Sequence, residues 1–327
     1  MTRPANRFSL LADIGGTNTR VALAERGRLL PDTIRRYANA EHASLDVVLA
    51  AFMAAEGDVD CAGACVAVAG PVRDGVASMT NLDWTIDGAS LAAATRAETV
   101  AILNDLQAQG HALGHLQDAA LRPIVTGSGK AGDDASQLVI GVGTGFNAAP
   151  VHEFPGGRFV AASECGHANL PIRTESDLKL LQFVENIHGF PGVEDVLSGR
   201  GLERVYAWVS AEAGAREDRR AAEIMAAIEA REPLALEAGR IFVRMLGTVA
   251  GNLSLIHLPF GGVYLCGGVA RAVTPWLAEF GFAEAFRDKG RFSGFMLNFS
   301  VHVIEDDYAA LTGCAVHLEN LMRSEAA

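Results

Sequence analysis

The sequence predicts an α/β protein of two lobes, with mixed sheets flanked by helices and a cleft between the lobes. Three observations carry that expectation. Short apolar runs of strand character alternate with segments of helical apolar spacing. A strand, a Gly-Thr turn and a return strand occur near Gly15 and again near Gly143, as two related halves would show. No linker-like or low-complexity stretch interrupts the chain, which favours lobes sharing a cleft over beads on a string.

In the opening stretch Phe8-Ser-Leu10 continues into Leu11-Ala-Asp-Ile14 as one strand, and Val21-Ala-Leu-Ala24 follows as a second. Gly15-Gly-Thr-Asn18 joins them as a tight hairpin, because Gly and Asn tolerate the positive φ of such turns. Thr33–Tyr37 is a candidate third strand. Leu45–Ala55 has helical spacing, with Ser44 placed as its N-cap. Cys61–Ala69 is a near-continuous apolar run ending in Gly70-Pro-Val72, which suits a buried parallel strand and its exit turn. Leu91–Arg96 reads as helix and Thr99–Leu103 as a short buried strand. A further helix follows Asn104-Asp105 to about His115.

Gly127–Ser136 is a polar connecting loop. Gln137–Ile140 then runs into Gly141-Val-Gly-Thr-Gly145, and Asn147–Val151 is the return strand. Gly157–Ser163 is another strand, ending in Glu164-Cys-Gly-His167. Helices are expected over Glu175–Ile187, over Glu194–Val209 with a Gly interruption, over Glu217–Ala230 and over Leu234–Ile256. Gly262–Cys266 is a buried strand ending in Gly267-Gly268, with a helix after it. Ser300–Ile304 is the last strand and Tyr308–Met322 the closing helix.

Composition narrows the function. With 327 residues and 50% hydrophobic content the chain can bury a substantial core. A net charge of -12, spread along the chain, argues against a nucleic-acid partner. No apolar run reaches the roughly 18 residues of a membrane span, and the first residues show no signal-peptide cleavage pattern. The cysteines at 61, 65, 165, 266 and 314 lie mostly in apolar contexts and lack Cys-x-x-Cys spacing. These features predict a cytoplasmic protein with reduced thiols and no membrane partner.

The chemistry gathers at three glycine sites and one carboxylate. Asp13 adjoins a turn whose amides carry little side-chain cover; such amides can hold a phosphate, and a nearby carboxylate can hold the phosphate's magnesium. Taken alone, the turn reads as a plain hairpin. Gly141-x-Gly143 is not a dinucleotide fingerprint, since position 146 is Phe, and Gly129-Lys130 lacks the upstream Gly of a P-loop. What remains is Asp13-Ile-Gly-Gly-Thr17, Gly143-Thr-Gly145 and Gly267-Gly268, each at or just after a predicted strand. Asn104-Asp105 suits a helix cap. It also sets a carboxylate at a strand's C-terminal end, where it can accept the proton of an attacking hydroxyl. Glu164 and His167 offer an acceptor and a switchable donor to the hydroxyls of a polyol. His111 and His115, four apart on a predicted helix, read as a surface pair rather than a metal site.

Taken in order, Asp13-Ile-Gly-Gly-Thr-Asn18, Ala69-Gly-Pro-Val72, Met79-Thr-Asn81, Asn104-Asp105, Gly143-Thr-Gly145, Glu164-x-Gly-His167, Val196-Leu-Ser-Gly199, Gly201-Leu202 and Gly267-Gly268 resemble the motifs of bacterial glucokinases over nearly the full length. Phe286-x-Asp-Lys-Gly-Arg-Phe292 resembles that family's late motif. The resemblance implies an actin-like ATPase (ribonuclease H-like) fold that closes over sugar and ATP, usually as a homodimer. Residues 1–110 would form the small lobe, completed by a C-terminal helix within 305–327, and residues 111–304 the large lobe. The implied reaction is ATP-dependent phosphorylation of glucose at the 6-hydroxyl, feeding glycolysis, with Asp105 as the base. Asn104, Asp105, Glu164, His167 and Glu194 would hold the sugar. Ala12, Asp13, Ile14, Gly15, Gly16, Thr17, Asn18, Gly143, Thr144 and Gly145 would hold phosphates, and Gly267 and Gly268 would lie near the adenosine. Asp13 would meet magnesium indirectly, through phosphates or water.

Two positions depart from the family pattern. Phe146-Asn147 stands where Leu-Gly is common after Gly145, and Asn147 is expected to keep the turn by tolerating positive φ. Cys165 replaces a common Gly, where a side chain would tune sugar choice or expose a thiol to oxidation. These departures leave open a catalytically weak sugar sensor, or a kinase for another hexose. The cysteine-rich zinc motif of the wider group is missing, so no structural zinc is expected.

Overall fold

A computed structural model describes residues 7–325 except 80, 81, 83, 130, 133 and 156, so two residues of the Met79-Thr-Asn81 motif lie outside the described residues. The chain divides into two compact units, Met1–Gln117 with Asp306–Ala327, and Asp118–Glu305.

The first unit is built on β1 (Phe8–Ile14), β2 (Asn18–Glu25), β3 (Arg28–Leu29), β4 (Arg35–Ala38), α1 (Leu45–Ala55) and β5 (Cys61–Val68). Three short strands follow, β6 (Val72–Arg73), β7 (Val76–Ser78) and β8 (Thr85–Asp87), then α2 (Gly88–Thr95), β9 (Thr99–Asn104) and α3 (Asp105–Ala112). The main sheet runs β3-β2-β1-β5-β9, with β4 also paired to β2. β1 is antiparallel to β2 but parallel to β5, and β5 is parallel to β9. Side chains alternate between the faces of a strand, so Leu10, Ala12 and Ile14 enter a core with Val48, Leu49 and Phe52 of α1. Leu11 faces the other way, into a core with Leu311, Cys314 and Leu318 of the C-terminal helix Ala309–Glu325. Helices cover both faces, which is why β5 reads as an unbroken apolar run and β1 as one broken only by Ser9 and Asp13.

The second unit comprises β10 (Leu121–Val125), β11 (Gln137–Val142), β12 (Phe146–Phe154), β13 (Gly157–Val160), α4 (Glu175–His188), α5 (Gly199–Glu212), α6 (Ala221–Glu229), α7 (Pro233–His257), β14 (Val263–Cys266), α8 (Gly268–Val273), α9 (Phe282–Arg287) and β15 (Val301–Ile304). Its sheet runs β10-β15-β14-β11-β12-β13. Here too a hairpin, β11 and β12, lies beside parallel strands, β14 and β15.

Several details differ from the sequence expectations. Ser44 occupies the N-cap of α1 but makes no side-chain cap bond. Asp87 starts α2 earlier than Leu91, accepting from Ser90 N at 2.9 Å. The expected helix at Glu194 begins only at Gly199, where Ser198 caps it by accepting from Gly201 N at 3.0 Å. β10 contains Pro123, which is tolerated because β10 is an edge strand. His111 is no surface residue: it is buried, its ring 4.4 Å from that of His317, and α3 ends before the exposed His115. All five cysteines are free thiols, four of them buried. No helix among the described residues is long and apolar enough to cross a membrane.

Candidate active site

In the first unit the parallel strands bring three chain turns to one edge. The register pairs Ile14 with Val68 and Val68 with Asn104, so β1, β5 and β9 end level with one another. Residues 15–17, Ala69-Gly70 and Asp105 therefore leave the sheet side by side, at the C-terminal edge where open α/β sheets bind ligands. Ala69 N donates to Ile14 O at 3.0 Å and Asn104 Nδ2 to Gly70 O at 3.0 Å, which stitches the three exits together.

Asn104 also caps α3. Its Oδ1 accepts from Leu106 N at 2.9 Å, while Gln107 Oε1 accepts from Asn104 N at 3.1 Å, completing a capping box. This cap sets the helix start, and with it the place of Asp105, whose carboxylate is half-buried and accepts from Leu106 N at 2.9 Å. One amide proton and one lone pair of Asn104 are thus committed to the fold.

The first glycine turn closes through Gly15 N donating to Asn18 O at 3.0 Å. None of its residues adopts positive φ, so the expected left-handed turn is not how it forms. Instead, Asn39 holds it from beneath. This buried side chain donates to Gly15 O at 2.8 Å and accepts from Thr19 Oγ1 at 2.8 Å, while Asn39 N donates to Thr17 O at 2.9 Å. Gly16 and Thr17 are left exposed at the tip. Asn18 is drawn aside, donating to Thr17 Oγ1 at 2.8 Å and accepting from Arg36 Nε at 3.0 Å. Ala12 and Ile14 belong to β1 and turn their side chains into the core on one face of the sheet. Asp13 pairs across the hairpin with Arg20 at 3.1 Å. Burial pushes its carboxyl above the ordinary carboxylate range, against the lowering pull of the Arg20 guanidinium.

In the second unit the remaining residues that the sequence marks as site candidates gather at the turn between β11 and β12. Gly199 N, at the start of α5, donates to Gly143 O at 2.9 Å. Thr144 is exposed at the tip. Glu194 Oε2 accepts from Phe146 N at 2.9 Å, and a Cβ on Gly145 would lie 2.5 Å from the same oxygen. The next residue of β12, Asn147, reaches the other carboxylate: its Nδ2 donates to Glu164 Oε2 at 3.3 Å. Consecutive residues of one strand therefore hold Glu164 and Glu194, with His167 exposed on the same short turn as Cys165. Gly267 ends β14 at φ +98°, where a Cβ would stand 2.5 Å from Val142 O; it brings Gly268 to the same end of the sheet as the turn. At Gly143 and Gly268 a Cβ would meet nothing within 4 Å, so protein packing does not account for those glycines.

Two expectations about the departures are corrected. Asn147 lies in strand β12 without positive φ, and its side chain works as a bracket rather than as turn backbone. The Cys165 thiol is part-buried and donates to Asn147 Oδ1 at 3.5 Å; burial pushes it above the ordinary thiol range, opposite to an oxidation-prone thiolate. Sequence reasoning missed Asn39 and Arg20. Both act through contacts 24 or fewer residues away that no local pattern marks.

The family model for glucokinase matches residues 10–321. The glucokinase of Marinobacter nauticus is 31% identical over 97% of this chain and 98% of its own length. That of Mesorhizobium japonicum is 33% identical over 95% of this chain and 91% of its own. Among solved structures, the glucokinase from an Antarctic psychrotroph superposes with a TM-score of 0.85 at 29% identity, covering 96% of this chain and 99% of its own. With the two hairpin-bearing mixed sheets described above, the architecture is the actin-like ATPase fold of sugar kinases. The chain belongs to the glucokinase family, and it is an enzyme of that family.

Proposed function

We propose that the protein transfers the terminal phosphoryl group of ATP to the 6-hydroxyl of glucose, with Asp105 as the general base. The observation that carries this reading is the level ending of β1, β5 and β9, which sets the Asp105 carboxylate and the Asp13 turn on one sheet edge. Glucokinase relatives at about a third identity over nearly their full length support glucose as the sugar.

The roles follow from each residue's chemistry. Asp105 accepts the hydroxyl proton as the sugar oxygen attacks, a contribution on the order of 10²-fold or more. Gly15 N and Gly143 N close their own turns, so the amides of Gly16, Thr17 and Asn18, and those of Thr144 and Gly145, receive phosphate oxygens, while Gly267 sets the open face of Gly268 toward the adenosine. Glu164, His167 and Glu194 hold the sugar's other hydroxyls; Asn104 offers its remaining amide proton and lone pair. In-line transfer then rests on positioning and charge compensation rather than on covalent steps.

Magnesium fits as the nucleotide's own ion. Among the described residues no group of three His, Cys, Asp or Glu is placed to hold a metal, whereas the part-buried Asp13 carboxyl, whose pKa desolvation raises against the pull of Arg20, would be further favoured as a carboxylate by a cation nearby. Asp13 would hold the ion through water or the phosphates, and the ion would offset the charge of the transferring group. The family resemblance also supports a cytoplasmic homodimer that feeds glycolysis. The test is a panel of hexoses with Mg-ATP, followed by ADP release. Glucose should give the highest kcat/KM; glucose binding without ADP release above background would favour the sensor, and a better second hexose would move the assignment to that sugar.

A further inference from the structure

We infer that Asn147 is a positioning residue for the sugar site, holding the Glu164 carboxylate through its amide donor. The inference rests on the reading of Glu164 as a sugar ligand.

Glu164 is exposed and lies in a stretch without regular structure, between β13 and the short turn Cys165–His167. An exposed glutamate on such a segment samples many rotamers, and fixing one for a ligand opposes binding through lost entropy. Asn147 supplies the fixing from the rigid side, because its backbone belongs to β12, paired to β11 on one side and β13 on the other. Its two amide ends divide the work. Oδ1 accepts from Ala148 N at 2.9 Å, from Cys165 N at 3.1 Å and from Cys165 Sγ at 3.5 Å. Ser163 Oγ shares its proton between Asn147 Oδ1 at 3.0 Å and Ala148 O at 2.7 Å. Nδ2 donates to Ser163 O and, at 3.3 Å, to Glu164 Oε2. Donors face Oδ1 and acceptors face Nδ2, so only this amide orientation satisfies the network.

The acceptor end thus anchors the backbone after Glu164 at Cys165 N and the Ser163 hydroxyl before it, while the donor end holds Ser163 O and the carboxylate itself. One Glu164 oxygen is occupied by Asn147, which leaves the other to be presented to a hydroxyl. The two departures from the family's glycines, Asn147 and Cys165, touch each other and form one device. The Cys165 thiol and amide both point at the oxygen of Asn147, and neither gives the sulfur a thiolate's reactivity.

The experiment is a swap of donor and acceptor, read as glucose KM, ATP KM and kcat. Asn147→Asp keeps the shape and the anchoring acceptor but turns the donor into a second carboxylate oxygen facing both Glu164 and Ser163 O. It should raise glucose KM about tenfold, with kcat and ATP KM within about twofold of the parent enzyme. Glu164→Gln should also raise glucose KM. In the Glu164→Gln background Asn147→Asp should raise glucose KM less than in the parent, because the substituted side-chain amide can donate to the new carboxylate while the clash with Ser163 O is common to both backgrounds. Asn147→Gly, which removes the bracket without adding charge, gives the same direction if the Asp variant melts early. Equal KM effects of Asn147→Asp in both backgrounds, or an unchanged glucose KM in both Asn147 variants, would overturn the inference. Should Glu164→Gln leave glucose KM unaltered, the sugar-ligand reading itself fails and the inference falls with it.

Discussion

The two glycine turns share one topology and are held by different means. Each joins the strands of a hairpin whose first strand has a parallel neighbour, β5 for one and β14 for the other. The turn at Gly15 is fastened by side chains: buried Asn39 beneath it, and the Asp13–Arg20 pair beside it. The turn at Gly143 is fastened by close approach: the backbone of Gly199, the Glu194 carboxylate packed on Gly145, and Gly267 packed on Val142. A side-chain fastening fails by deletion, and a close-packed one fails by addition.

Four substitutions test that contrast. Adding a methyl at Gly267 places it against a backbone oxygen at positive φ, neither of which can yield. Gly267→Ala should lower stability by about 3 kcal/mol, read as a fall in thermal midpoint with no nucleotide present. Removing the fastening beneath the first turn leaves Gly15 O and Thr19 Oγ1 without their partner. Asn39→Ala should cost about 2 kcal/mol by chemical denaturation and raise ATP KM.

Gly145→Ala differs from Gly267→Ala in kind, because the atom it strikes ends a side chain that can turn away. Glu194 should move and the fold survive, so the expected signature is a roughly tenfold rise in glucose KM with little change in melting temperature. The smallest effect concerns Asp13. Its folded carboxyl sits above the ordinary range, so between about pH 4 and the raised value the folded state holds a proton that the unfolded state releases. Stability from this group therefore falls as pH rises through that window. Asp13→Asn should flatten the pH dependence of the melting temperature above pH 4 while raising ATP KM several-fold, and an unchanged profile would refute the desolvation account.

Much of the fold was legible in the sequence because both sheets are covered by helices. Burial on two faces makes β5 and β14 continuous apolar runs and β1 and β11 largely apolar ones, and each ends in glycine-rich or polar turn residues. What escaped was short, or depended on distant partners. The strands β6, β7 and β8, of two or three residues, give no period to read. The stretch before Gly199 carries helical apolar spacing, yet the bond from Glu194 N to Gly166 O at 2.8 Å holds it as a turn. The candidate site showed the same division. Asp105, Glu164 and His167 announced themselves by residue type beside strand ends, while Asn39 is an unremarkable asparagine until β4's exit carries it under the Gly15 turn. Asn147 was visible as an oddity, but its meaning required the geometry of the loop that it holds.

In the proposed mechanism Asp105 serves chemistry and not sugar binding alone. That role is tested most directly by measuring ADP release from Mg-ATP and glucose with Asp105→Ala beside the parent enzyme, with glucose binding of both titrated by calorimetry. Turnover should fall on the order of 10²-fold or more in a variant that folds and still binds glucose. Turnover near that of the parent enzyme would contradict that role.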